Sequence, residues 1–416
     1  VQKILRAIKN FLGDKDYTFP LTMWLLSRLV IVLLMVVIVP VFSPATGWKV
    51  FANWDGELYH NIITKGYIYD PAQKEYLVAF FPLFPLSIKA VMKLGISFEL
   101  AGILVNNLAF LGAILLVYNW VKELYGIQVA RWTSAILAWC PFSLFGTVIY
   151  TEGLYLLLTS FALRAFQKSQ YTLAALGGAL ATATRPPGIA ITLTFLLASW
   201  REKRPLAAYI SGISTTLGIL LYSLYCWLKF ADPLIFLKAQ KAWQPEQDFW
   251  GQSWLKMLVQ ATAGYQNWRH GSLVDPWYPL AFILICLGGY WLGKSELKLG
   301  KNKTQFGLCF LAIVLWLLGG SPLINTVTIL GSIYLLWRFR SQLNLLAIYG
   351  FCSFGIIFSS GRSTSAERYT YGIISVSIAL GLLLQKYPRW GYPVVGFFGI
   401  LLVSLAVRFS QHLWAG

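Results

Sequence analysis

Between residues 53 and 60 the chain reads Asn-Trp-Asp-Gly-Glu-Leu-Tyr-His, which sets Asp55, Glu57 and His60 close together soon after a long apolar run. Three more polar stretches interrupt the apolar sequence: Tyr-Thr-Glu-Gly at 150–153, Thr-Arg-Pro-Pro-Gly at 184–188, and a Ser-rich segment at 359–370 that holds Arg362, Glu367 and Arg368. A carboxylate such as Asp55 can take a proton from an attacking hydroxyl. Guanidinium groups such as Arg185, Arg362 and Arg368 fork onto phosphate oxygens and can offset negative charge as it builds. His60 and Lys65 could also reach a phosphate. These residue types allow proton abstraction coupled to stabilisation of an anionic leaving group. Plainer roles stand beside each: Asp55 as the N-cap of a helix from Gly56 through Lys65, and Arg362 and Arg368 as solvated loop charges, the latter paired with Glu367.

The elements that must position these groups are apolar. Of 416 residues 57% are hydrophobic and 12% charged, about half the charge of an ordinary soluble domain, which carries roughly 25%. Apolar runs of spanning length recur, so the fold class is all-α, a polytopic membrane protein with about 11–13 hydrophobic segments. The segments read as 20–42, 98–121, 131–149, 153–168, 171–183, 188–200, 206–229, 277–293, 305–319, 322–338, 343–359, 370–385 and 390–412. Residues 1–416 form one integral-membrane domain, with 43–97 a first outer loop and 230–276 a second. No strand pattern is visible. Residues 79–95 and the stretch around Trp254 and Leu258 read as helices lying on the membrane surface. The basic first 19 residues and the apolar run from Pro20 to Phe42 read as a retained first span rather than a signal peptide.

With the N-terminus in the cytoplasm, alternation places 19 basic and five acidic residues inside, against 14 basic and 11 acidic outside. The net charge of +18 is thus mainly the positive-inside bias of a membrane protein, and no nucleic acid is needed as partner. All four polar stretches then share the outer face. The five cysteines lie in apolar runs without CxxC spacing and the three histidines are far apart in sequence, so no disulfide framework, zinc or haem motif is indicated.

Segments 171–183 and 188–200 are too short to cross a hydrocarbon core of about 30 Å at 1.5 Å per residue. They meet at Thr184–Gly188, where consecutive prolines must stop a helix. Arg185 is therefore held at a break lining a wet cavity, or snorkels from a tight turn at the interface. Arg28, inside the first span, calls for a partner, a lipid phosphate or a snorkelling path.

The motifs WDG (54–56), GY (66–67), AFFPLFP (79–85), ATRPPG (183–188) and DPLIFLKAQKAW (232–243), in this order, resemble the PIG-V family, the GPI mannosyltransferase 2-like members of the GT-C membrane glycosyltransferases. SAERYT at 365–370 is a weaker echo, and TRPPG departs from the TRSNG of eukaryotic members. The resemblance implies transfer of a hexose, mannose above all, from a polyprenyl-phosphate donor to a hydroxyl of a lipid or glycan acceptor. The reaction would take place at the outer face of a bacterial plasma membrane. It maps the catalytic base onto Asp55. Arg185, Arg362, Arg368 and His60 become candidates for the donor phosphate, and Trp54, Glu57, Tyr67, Glu152, Gln240 and Trp243 for the substrates. One base opposite the leaving group implies inversion. A monophosphate leaving group needs no cofactor, although Glu57 and Glu152 leave a divalent metal possible. A transporter or flippase of prenyl-linked or amphipathic substrates has similar composition, but would place ionisable coupling groups near mid-membrane. A scaffold subunit would explain the hydrophobicity alone.

Overall fold

The computed structural model describes residues 15–39, 47–243, 249–361 and 363–413. The helices in chain order are α1 (Thr18–Val32), α2 (Asp55–Lys65), α3 (Leu83–Met92), α4 (Phe98–Tyr125), α5 (Ile127–Trp139), α6 (Glu152–Gln167), α7 (Tyr171–Thr182), α8 (Ile189–Arg201), α9 (Leu206–Ser214), α10 (Leu217–Phe230) and α11 (Ile235–Gln240). They continue as α12 (Gln252–Thr262), α13 (Tyr265–His270), α14 (Trp277–Lys294), α15 (Glu296–Leu299), α16 (Lys301–Arg338), α17 (Arg340–Leu343), α18 (Leu345–Ser359), α19 (Ala366–Tyr371), α20 (Ile374–Lys386) and α21 (Pro388–Ser410). The all-α reading holds with one small correction. Strands β1 (Tyr69–Asp70) and β2 (Glu75–Tyr76) pair antiparallel in the first loop. Each is two residues long, below the length at which alternation is visible in a sequence.

Among the described residues, five helical stretches are long and apolar enough to cross a membrane: Thr18–Ile38, Phe98–Tyr125, Leu206–Phe230, Lys301–Arg338 and Pro388–Ser410. The other expected segments appear as shorter apolar helices. The segments 305–319 and 322–338 correspond to the two helices that make up α16, which meet at a kink where Gly320 takes φ 55° just before Pro322. Leu25, Leu26 and Leu29 of α1, and Leu33 just after it, are exposed. A row of exposed large aliphatics on a spanning helix is a surface for lipid tails, not for water.

The described chain divides into two compact units. The first joins residues 1–244 to 335–356 and 371–416. In it α4 packs against α5 and α6, α6 against α7, and α20 against α5. Its core is aromatic: Trp120, Tyr118, Phe110 and Phe145 are essentially inaccessible. Arg28 finds its partners here. Its guanidinium donates to the carbonyls of Ser143 (2.7 Å) and Ala138 (3.1 Å) and to Ser143 Oγ (2.8 Å), over the ring of Phe110. A buried cation in a span thus binds a carbonyl at the C-terminal end of α5, Ala138, and the Ser143 carbonyl and hydroxyl in the turn that follows it, so neither lipid phosphate nor snorkelling explains it. The second unit comprises 245–334 and 357–370. Within it α12 packs against α13 and α14, and the 357–370 segment lies on α12 through Trp254 against Phe358 and a Ser363 Oγ–Ser253 O hydrogen bond of 3.2 Å.

Candidate active site

Asp55 opens α2 as its first helical residue, and Trp54 is the N-cap, with no side-chain cap bond. The plainer sequence reading, Asp55 as cap, is therefore corrected. A carboxylate in the first turn still gains from the helix's positive end. The residues before it make a tight turn, closed by Gly56 N–H donating to Asn53 O at 3.3 Å. Trp54 sits at the second position of that turn with φ 61° and ψ −116°. These are the angles of a type II′ turn, where glycine is the usual occupant. A tryptophan there stores about 1–3 kcal/mol of backbone strain, which survives only if its surroundings fix it. The Asp55 amide donates towards Tyr150 Oη at 3.4 Å, and Ile149 N–H donates to Phe51 O at 3.0 Å.

The Tyr-Thr-Glu-Gly stretch is fixed from α4. Asn106, fully buried, donates to the carbonyls of Phe145 (2.7 Å) and Val148 (2.6 Å) and accepts from Gly153 N–H (2.9 Å). One amide thus satisfies two loop carbonyls and an open amide at the start of α6. Gly153 is required, since a Cβ there would lie 2.5 Å from both Asn106 oxygens. Glu152, the first residue of α6, is held facing Arg185: Nη1 donates to Oε1 at 2.9 Å, with side chains 8% and 1% exposed. Arg185 also lies over the Tyr155 ring, 5.3 Å from its centre.

Arg185 reaches this position through the break foreseen in the sequence. The following proline pushes residue 185 into extended backbone (φ −165°, ψ 152°), between α7 and α8. Gly188 lets the chain turn back against α7, where a Cβ would be 2.9 Å from Ala181 O. A buried, ion-paired Arg185 corrects the alternative of a snorkelling interfacial arginine. The AFFPLFP stretch abuts the same break, with Leu83 N–H donating to Ala183 O at 3.1 Å. It is pinned from behind by Gln240 Nε2 donating to Ala79 O (2.9 Å) and Tyr222 Oη donating to Val78 O (2.8 Å). Five motifs scattered over nearly 190 residues are thus joined by hydrogen bonds or an ion pair.

Tyr59, one turn after Asp55, joins the acidic and basic parts. Its buried ring meets Phe80 and Phe84 edge-on, at 5.3 and 5.0 Å. Burial, then the Asp55 and Glu152 carboxylates, hold its phenol well above the usual range, while Arg185 acts the other way. Asp55, Glu152 and Arg185 all lie within electrostatic reach of this one hydroxyl. Tyr59 and Asn106 were missed in sequence reading. The four-residue spacing from Asp55 could have suggested Tyr59, whereas nothing local marks Asn106.

Glu57 and His60 are on exposed positions of α2, with His60 edge-on to Phe98 at 4.8 Å. Tyr67 packs on Tyr222 and Tyr225 (5.5 and 5.7 Å) within an aromatic cluster that also contains Phe81 and Phe236. In the second unit Arg368 is 8% exposed and lies over the Tyr369 ring, 5.6 Å from its centre, so it is not a solvated loop charge. Glu367 beside it is equally buried, and burial raises its carboxyl to about 7. Arg362 and the Trp243 side chain fall outside the described residues. Among the described residues no three His, Cys, Asp or Glu groups gather to hold a metal ion.

Residues 41–202, which include Asp55, Glu152 and Arg185, match the family model described as Mannosyltransferase (PIG-V). The resemblance carried by the motifs is met over that span. No curated protein matches the sequence. Among solved structures, the chain is similar to the Archaeoglobus fulgidus oligosaccharyltransferase in complex with Zn and sulfate, at 14% identity and a TM-score of 0.47, covering 95% of this chain and 53% of that one. A second structure of that enzyme, tethered by a disulfide to an acceptor peptide containing the NVT sequon, gives 14% identity and a TM-score of 0.44, covering 97% and 56%. The chain spans about half the length of these solved relatives.

Proposed function

We propose that a chain matching mannosyltransferases over residues 41–202 is an inverting membrane glycosyltransferase of the GT-C type. In this reading it moves a hexose, mannose first, from a polyprenyl phosphate to a hydroxyl of a lipid or glycan acceptor. The observation that carries the proposal is the buried Glu152–Arg185 ion pair, joined to the turn that holds Asp55 by the Asp55 amide donating to Tyr150 Oη. The acceptor oxygen bonds to the anomeric carbon and its proton passes to the Asp55 carboxylate. The anomeric carbon–oxygen bond to the phosphate breaks, and the electron pair leaves with the phosphate. Arg185 is the cation placed to meet the growing charge. Glu152 keeps it extended and pointed before the donor arrives.

Arg368, Arg362 and His60 are candidates for the same phosphate by residue type. Glu57, Tyr67, Trp54, Gln240 and Trp243 are candidates for sugar or tail contacts. Gln240 acts in the structure by bracing Ala79. The charge asymmetry of the connecting loops supports a cytoplasmic N-terminus and an outer active face. A short-chain prenyl-phosphate mannose assay tests the proposal. Asp55→Asn is expected to lower kcat by about 10²–10⁴-fold, and wild-type turnover in a folded Asp55→Asn would remove Asp55 as the base.

A further inference from the structure

The strained residue before the catalytic aspartate is held from the far end of the sequence. Asn53 Nδ2 donates to Phe409 O at 2.9 Å, which ties the first position of the turn to the last turn of α21. Two residues beyond that helix, the His412 imidazole lies nearly flat on the Trp54 indole, with ring centres 4.7 Å apart and planes at 13°. His412 itself takes φ 57°, so the backbone after α21 bends back over the turn. Its Nδ1 is 4.0 Å from Glu57 Oε1. Tyr150, to which the Asp55 amide points, packs on Phe409 as well, at 5.9 Å.

Trp54 would leave its left-handed conformation if the 53–54 peptide rotated, and that rotation would swing the first residue of α2, which is Asp55. A flat ring on the indole opposes it. We infer that His412 is a positioning residue that, by stacking on Trp54, fixes the direction in which the Asp55 carboxylate faces the acceptor. The inference rests on the reading of Asp55 as base. It predicts that a residue outside the PIG-V match controls the chemical step, because small misplacement of a reacting group is costly. The half-exposed His412 side chain contributes little core packing, so its loss should act on rate more than on folding.

The experiment compares full-length wild type, Asp55→Asn, His412→Ala, His412→Phe and His412→Leu with short-chain prenyl-phosphate mannose as donor. His412→Ala is expected to lower kcat by about 10-fold or more, with donor KM within about two-fold. His412→Phe restores most of the rate because its ring can stack. His412→Leu, with bulk but no flat ring, does not. Hydrogen exchange at the Gly56 and Glu57 amides, which bond to Asn53 O and Trp54 O, should quicken in Ala and Leu and return towards wild type in Phe. Unchanged kcat and exchange in His412→Ala, or a Phe variant as impaired as Ala and Leu, would overturn the inference. Failure of the base assignment is separate: it shows as undiminished turnover in Asp55→Asn, whatever the His412 variants do.

Discussion

Replacing Arg185 with glutamine while Glu152 remains should leave a carboxylate almost wholly removed from water with its charge partner gone. The two side chains are 8% and 1% exposed and joined at 2.9 Å. Breaking a buried pair on one side costs about 3–5 kcal/mol, whereas replacing both members by neutral groups can be close to neutral. Arg185→Gln and Glu152→Gln should therefore each lower the unfolding midpoint in detergent. The double variant should lie nearer to wild type than the two losses added together, with a coupling of about 2–3 kcal/mol. Donor affinity separates the partners. On the proposed role, Arg185→Gln would remove a charge-assisted hydrogen bond to phosphate, about 1.5–3 kcal/mol, which is roughly 10- to 150-fold in donor KM or Kd. Glu152→Gln keeps the cation and should shift donor affinity far less. Thermal unfolding of the four proteins and titration with a short-chain prenyl phosphate read both quantities. Additive losses, or equal weakening of the donor by the two single variants, would refute the account of Glu152 as the group that holds a phosphate-binding Arg185.

Asn106 and Glu367 give two further tests. Asn106→Ala strips partners from the carbonyls of Phe145 and Val148 and from the Gly153 amide, at about 1–3 kcal/mol for each buried group left unpaired. Its unfolding midpoint should fall and turnover with it, whereas a wild-type midpoint would show that the loop holds itself. Glu367, which burial raises from its ordinary value to about 7, binds a proton in the folded state that the unfolded chain has already released between about pH 4.5 and 7. Stability should then decline as pH rises through that window. Glu367→Gln should flatten the decline and stabilise the protein at pH 8, and an unaltered slope in thermal unfolding would exclude Glu367 as its source.

Much of the architecture was legible because it depends on local pattern. Long apolar runs gave the spanning helices. The double proline at 186–187 gave the break between α7 and α8, since proline stops a helix and sets the backbone of the residue before it. Asp55 stood out by its neighbours and by the family's WDG. The kink in α16 was legible as well: Gly320 and Pro322 marked the interruption between its two helices. The two-residue strands were too short to show.

By itself, the order of residues determined that this is an α-helical membrane protein and where its reactive groups lie along the chain. Hydrophobic runs and proline act over a few residues, and their effects need no distant partner. Only the tertiary structure decided which groups meet. Glu152 and Arg185 are 33 residues apart, Asn106 and Gly153 are 47 apart, and Asn53 and Phe409 are 356 apart. Partners at such separations are chosen by how whole helices pack, and helical periodicity says which face of a helix is buried without naming what it is buried against. The same limit explains why Arg368 looked like a loop charge and proved buried. It also explains why His412, an isolated residue near the end of the sequence, gave no sign of the tryptophan it covers.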